Sequence, residues 1–235
     1  MSVYKFEKIK VKKTVLKLPI NDAQYVTLEF LDRASALRIL DYLTIAYYKG
    51  AKRYILYPED YVAGVLWSFE SLLAKVVCGQ LPLHESITED IGFLWHEYLQ
   101  DKKEHNFVEK PLENSTYWVG QTHHLCESKK WDTWLYNKND AIYFEITPSY
   151  HWHFCKPQRN EKFVSYKKFV KKYKPLAIIK IDKKVAQGWL KIVSRLLATA
   201  QKNHAEAVRQ DKDWEKNLRE RAAAVKTTWE LKENR

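Results

Sequence analysis

Residues 131–155 read WDTWLYNKNDAIYFEITPSYHWHFC, and the fold turns on how this stretch is read. Trp134, Tyr136, Ile142, Phe144 and Ile146 are strand formers with period-two stretches. Between them, Asn137-Lys138-Asn139-Asp140 is rich in residues that tolerate left-handed backbone, which predicts a hairpin closing there. Pro148 ends the second strand, because proline cannot donate to a ladder. His151-Trp152-His153-Phe154-Cys155 then alternates metal-ligand types with aromatics, so on a strand His151, His153 and Cys155 would share one face. The spacing favours a last strand with Trp152 and Phe154 packed inward and the His and Cys residues incidental.

Upstream, Lys alternates with apolar residues over 3–18, the pattern of one or two exposed edge strands, and 25–30 is a further strand. A helix is predicted from Arg33 to Tyr48, with Asp32 as cap and Gly50 beyond its end. The clearest helix runs from Tyr61 to Cys78. Asp60 is its cap, Gly79 stands at the left-handed position past its end, and Cys78 reads as a small core residue beside a wide apolar face. Ser86-Ile87-Thr88-Glu89 fits a capping box for a helix carrying Ile91, Leu94, Trp95, Tyr98 and Leu99. Residues 101–116 read as a loop, and 117–118 as strand. A short basic helix from Ser165 to Tyr173 stops before Pro175, and 176–181 is an apolar run expected to be a buried strand. Asp182 caps a helix whose apolar face includes Val185, Trp189, Val193 and Leu197. Past residue 200 the chain is densely charged and helical, with Trp214, Leu218, Ala222, Val225 and Trp229 on one narrow stripe. No internal repeat is visible.

These elements predict an α+β fold: an antiparallel sheet with helices on one side over residues 1–200, and a C-terminal amphipathic helix over 201–235. With 235 residues, 46% hydrophobic, the chain is long enough for one sizeable core. Three cysteines form no even framework and point to reduced thiols and a cytoplasmic setting. The basic start has no apolar run behind it, and stretches such as 62–67 fall far short of a membrane span, so no membrane partner is expected.

The net charge of +11 is uneven. Residues 18–155 hold 12 Lys/Arg against 19 Asp/Glu, whereas 156–184 hold 11 against Glu161 and Asp182. The second segment carries Lys162, Lys167, Lys168, Lys171, Lys172 and Lys174 among Phe163, Tyr166, Phe169 and Tyr173. Basic residues among aromatics suit phosphate neutralisation and base stacking. The aromatics also fall at helical spacing, which would turn them to the core and leave a Lys face outside. An outward Lys stripe favours nucleic acid; a concave acidic surface with exposed Trp or Tyr favours a basic protein partner.

For chemistry, His124 and Cys126 join His151, His153 and Cys155 as candidate metal ligands across a sheet. Neither cluster has the spacing of a zinc module, and His123 and His124 would point to opposite faces. Gly50, Gly64, Gly79, Gly92, Gly120 and Gly188 never cluster, so no phosphate-cradling loop is legible. No strained nucleophile turn surrounds Cys126 or Cys155, and Glu145 has no second acid beside it in sequence. Neither catalysis nor a cofactor is expected. The nine Trp and 15 Tyr exceed what the core readily buries, which implies exposed interface anchors, with Trp214, Leu218 and Trp229 as candidate partner contacts.

The strings TWLYNKNDAIYFEITPSYHWHF (133–154), YKKFVKKYKPLAIIKID (166–182), VAQGWL (185–190) and LLAKVVCGQLPLHESITEDIG (72–92) resemble small bacterial proteins of immunity type, from toxin-immunity and contact-dependent inhibition contexts. The likeness spans about residues 60–200 and includes no catalytic motif. It implies a single α+β domain that binds and blocks a toxin without catalysis, and it specifies no binding residue. The chain departs from inhibitors of basic nucleases in being basic overall, although its central body is acidic. Nucleic-acid binding through 156–184 is the alternative, and a metal-binding protein or metal-dependent enzyme the third.

Overall fold

The computed structural model describes residues 12–32, 41–83, 87–100, 107–112, 115–120, 123–153, 155–157 and 159–233; over 12–13, 31–32, 59–60, 98, 107–112, 115–120, 211, 214–215 and 217–233 the description is of the backbone. Four strands open the chain: β1 (Lys12–Pro19), β2 (Gln24–Asp32), β3 (Tyr42–Lys49) and β4 (Lys52–Tyr61), an antiparallel sheet in that order. The helix expected over 33–48 is overturned from Tyr42 onward, and 33–40 lie outside the described residues. Leu43, Ile45 and Tyr47 are buried at period two, and Tyr48 stacks on its cross-strand partner Tyr25 at 4.8 Å. Such cross-strand pairs stabilise a sheet and outweigh the helical reading of the same letters. Gly50, at φ +57°, serves the β3–β4 turn and not a helix end.

α1 (Val62–Val77) follows, with Gly79 at φ +70° just beyond it, as its spacing predicts. Asp60 is not its cap: it belongs to β4, and the Val62 N–H donates to the Asp41 carbonyl at 2.8 Å. Cys78 is exposed and not a core residue, since it lies one step past the apolar face. α2 (Ile91–Gln100) begins later than a Ser86 cap would start it, and Ser86 lies outside the described residues. β5 (Phe107–Leu112), in the stretch that the sequence suggests is a loop, pairs antiparallel with β6 (Ser115–Gly120), which contains the strand expected at 117–118.

The opening stretch supplies the centre of a second sheet. β7 (His124–Glu127), β8 (Trp131–Lys138) and β9 (Ala141–Pro148) are joined at the far edge by β10 (Ala177–Ile181), in the order β10-β9-β8-β7. The β8–β9 hairpin closes through Asn139 and Asp140, both at positive φ. HWHFC is not a strand: His151–His153 form a 3-10 turn with Trp152 half-buried, and Phe154 lies outside the described residues. Between β9 and β10 sits α3 (Tyr166–Lys172). β10 is a half-buried edge, with Ile178 45% exposed, because only one of its sides has a neighbour.

α4 (Lys183–Glu233) starts where expected; the Asp182 carboxylate accepts the Lys184 N–H at 2.7 Å. It runs unbroken through residue 200 for 51 residues, about 75 Å at 1.5 Å per residue. Its buried residues Ala186, Trp189, Val193, Leu197, Ala200 and Ala207 recur at helical spacing and dock it along α1. The second sheet is covered on both faces. Leu135, Phe144 and Ile146 join the main core with α1 and α4, while Trp134 and Tyr136 on the opposite side pack against Ile87, Ile91 and Leu94. The order of four antiparallel strands and a long helix thus occurs twice, with α2, α3 and the β5–β6 hairpin inserted in the second half. No helix among the described residues is long and apolar enough to cross a membrane.

Gly92 fixes how closely α2 lies on β9. A Cβ there would stand 2.1 Å from Thr147 Oγ1. The Gly92 N–H instead donates to the buried Glu145 Oε1 at 3.1 Å, so a carboxylate from another element caps α2. Gly92→Ala gains roughly 1 kcal/mol of helix propensity, but overpacking and loss of this bond cost about 3 kcal/mol. The expected result is a lower urea midpoint with unchanged slope.

Candidate functional site

α3 is short and two-sided. Tyr166, Phe169 and Tyr173 turn inward at steps of three and four: Tyr166 meets the Tyr150 ring at 5.3 Å, Phe169 meets His96 edge-on at 5.1 Å, and Tyr173 meets Phe93 at 5.3 Å. Tyr150 also donates its hydroxyl to the Val164 carbonyl at 2.9 Å, pinning the segment before the helix. Lys167, Lys168, Lys171 and Lys172 occupy the opposite side, all exposed, and Lys162 and Lys174 flank them, also exposed. Among the described residues none of the six is in an ion pair. Phe163, beside Lys162, is 55% exposed and meets the edge of half-buried Trp152 at 5.9 Å.

Beneath the inner side of α3 lies a group of imidazoles around one buried acid. Asp132, on β8, and His96, on α2, are each 2% exposed. His96 Nε2 is 3.3 Å from Asp132 Oδ2 and 3.0 Å from the Pro148 carbonyl, while His124 Nε2 is 3.7 Å from Asp132 Oδ1. His153 stacks on His96 at 5.4 Å. Burial by itself drives the Asp132 carboxyl upward; the adjacent imidazoles of His124 and His96 more than offset this and hold it below the usual carboxylate range. Burial pushes the His153 imidazole down to about 4, helped by His96, so it is neutral at physiological pH.

A β-bulge places His124. β7 pairs His124 with Trp134 but Cys126 with Thr133 and Glu127 with Asp132, so one extra residue lies between His124 and Cys126. The bulge turns His124 to the Asp132 face, which it shares with Glu127, and leaves Cys126 on the other. The ligand atoms of His124, Glu127 and Asp132 lie within 4.8 Å of one another. His124 and Glu127 border a cavity of 430 Å³ walled by Tyr57, Ser68, Trp95 and Leu99. Glu127 and Tyr57 also line a neighbouring cavity of 400 Å³ that holds His151 and Cys155.

The five candidate metal ligands therefore do not form one site. Cys126 is buried with Sγ 2.9 Å from Thr133 Oγ1, and burial, reinforced by the charges of Asp132 and Glu127, pushes its thiol up to about 12, so it is a poor ligand at neutral pH. Cys155 is exposed and donates its Sγ–H to the His151 carbonyl at 3.2 Å. The 3-10 turn sends His151 against Trp152 and His153 under α3, so the shared face of an extended strand does not arise. His124 and His153 meet through His96 and Asp132, His151 and Cys155 line the 400 Å³ cavity together, and Cys126 borders the 430 Å³ cavity with His124. The side chains of the partner candidates Trp214, Leu218 and Trp229 lie outside the described residues; the α4 backbone passes through all three positions.

Sequence reasoning missed His96, Glu127 and Asp132. One of them carries a signal: Asp132, like Glu145, interrupts a run of strand formers, and a carboxylate in the centre of a sheet demands partners when buried. The bulge that recruits Glu127 leaves no such trace. Comparisons with protein-family models, with curated proteins and with solved structures found no match to this chain.

Proposed function

We propose that this protein binds single-stranded nucleic acid through residues 156–174. The observation that carries the reading is the two-sided α3, whose aromatic side is occupied by packing while its lysines face outward with no carboxylate partner among the described residues. Six unpaired lysines provide counter-charge for a phosphate backbone, and exposed Phe163 beside Trp152 provides a stacking surface. Lysine acts as a point charge without the planar fork of arginine, so the expected binding is indifferent to sequence. The three free thiols support the cytoplasm as its compartment.

Fluorescence anisotropy with a short labelled oligonucleotide tests the reading. Six contacts predict a log–log salt slope of about −4, at 0.7 per phosphate on a single strand. Replacing Lys167, Lys168, Lys171 and Lys172 with Ala should reduce that slope by about 3. Phe163→Ala should cost about 1–3 kcal/mol of affinity and leave the slope unchanged. Absence of binding at about 50 mM salt, where the electrostatic contribution is strong, ends the proposal.

A second reading is favoured by a different surface. Tyr42 and Tyr61 are 40% and 49% exposed and stack at 5.2 Å, and Trp67 is 48% exposed, all within the acid-rich part of the chain. Exposed aromatics of this kind suit a non-enzymatic protein-binding module, in its concrete form an immunity-type inhibitor that blocks a basic toxin domain. Under that reading the oligonucleotide gives no signal, and a toxin domain co-purifies from the host in amounts that Tyr61→Ala with Trp67→Ala reduces.

A further inference from the structure

We infer that His124, Glu127 and Asp132 form a binding site for one divalent transition-metal ion, opening on the 430 Å³ cavity beside α2. The inference is independent of the lysine face. Three observations converge on it. The ligand set is one imidazole and two carboxylates, a combination that suits zinc and its neighbours in the first transition row, whereas magnesium and calcium prefer oxygen alone. The 3.7 Å between His124 Nε2 and Asp132 Oδ1 is the span of two ligands on a common ion with arms of about 2.1 Å, subtending about 120°. Asp132 is a nine-tenths buried acid aimed into the cluster, and its second oxygen is occupied by His96 at 3.3 Å, the outer contact that orients a ligating carboxylate.

The local structure assembles this set from opposing tendencies. His124 and Glu127 are three positions apart, which on a regular strand would put them on opposite faces. The bulge brings them to one face, and bulges are enriched beside sites because they re-aim a side chain. Asp132 then comes from the adjacent strand, directly opposite Glu127. Three protein ligands leave a coordination position toward the cavity, the arrangement of an open centre and not of a closed structural one. The walls there, Trp95, Leu99 and Tyr57, are largely apolar, so a small ligand entering the cavity would reach the ion in a shielded setting. Cys126 borders the same cavity, but its Sγ is engaged by Thr133 Oγ1 at 2.9 Å and is not among the converging ligand atoms, and Cys155 lines the neighbouring cavity, so the ligand set is free of sulfur.

The test uses the full chain, stripped with chelator and titrated with zinc ion by calorimetry, then loaded with cobalt(II) for absorption spectroscopy. One equivalent should bind in the micromolar range or tighter. Glu127→Gln, at an exposed position where folding is not at stake, and His124→Gln should each weaken it at least tenfold. His96→Gln should weaken binding less than either, as an orienting contact. The cobalt spectrum should lack the intense near-ultraviolet band of thiolate ligation. Absence of saturable binding, binding unchanged in both Glu127→Gln and His124→Gln, or a thiolate band each overturns the site. Asp132→Asn serves as a confirming variant only if its circular dichroism matches the parent.

Discussion

Trp189→Ala should lower the unfolding free energy by about 3–5 kcal/mol, the range for removing a large aromatic from a packed core. Trp189 is 1% exposed and sits where three elements meet. Its ring meets Phe69 of α1 at 6.1 Å and Phe144 of β9 at 5.8 Å, both edge-on, and its Nε1–H donates to the Pro19 carbonyl at the end of β1 at 2.8 Å. One side chain on α4 therefore joins both sheets and α1, and its loss opens a cavity that no single element can close. Trp189→Phe separates the two contributions. It keeps most of the apolar contact and strands the Pro19 carbonyl, for an expected loss of about 1–3 kcal/mol. Urea unfolding monitored by far-ultraviolet circular dichroism measures both, and equal losses in the two variants would show that the hydrogen bond, not the packing, joins the layers.

The second large effect is a dependence of stability on pH that Glu145→Gln removes. Glu145 is fully buried; Oε1 accepts the Gly92 N–H and Oε2 the Tyr136 hydroxyl at 2.9 Å. Burial pushes its carboxyl up to about 7, with Asp90 adding to the rise, while the bonds from Gly92, Tyr136 and Ile91 limit it. A folded-state value above the unfolded one means that the folded chain binds more protons over the interval. The contribution is then fully present below about 4.5 and is lost as pH rises through about 7. Its size is about 3 kcal/mol, from 1.36 kcal/mol per tenfold change in the proton equilibrium. His123 and His153 act in the opposite sense: burial lowers both to about 4, so their contribution is present above 6.5 and lost as pH falls through 4. The parent protein should be most stable near pH 6 and weaken toward pH 8, a maximum set by these opposed groups. The difference between parent and Glu145→Gln isolates the carboxyl, and should move by about 3 kcal/mol in favour of the variant from pH 5 to pH 8. A difference that stays constant over that range would place the proton elsewhere.

Much of the outline is legible in the chain. The β8–β9 hairpin follows from strand formers on either side of a left-handed turn, and α1 from its apolar spacing and Gly79. α3 is found because Ser165 and Pro175 bracket a stretch whose aromatics and lysines separate by helical period. Periodicity fails where its premise fails. Residues 42–48 satisfy a helical reading, yet their Tyr and Ile side chains gain more from cross-strand partners than from a helix of their own. HWHFC alternates like a strand, but among the described residues 151–153 have no neighbouring strand to pair with, and they tighten into a 3-10 turn after Pro148.

The sequence by itself determined the α+β class, the charge reversal at residue 156 and the division of α3 into an aromatic and a lysine side. Each depends on residues within a few positions of one another, whose spacing already states which side is apolar. Only the tertiary structure decided that a helix covers the outer face of the second sheet, that Glu145 caps α2, and that His96, His124, Asp132 and His153 converge. Those four come from a helix, a bulged strand, a central strand and a turn. What brings them together is the burial of the elements that carry them, together with the need of one buried carboxylate for partners, and neither leaves a local pattern in the chain.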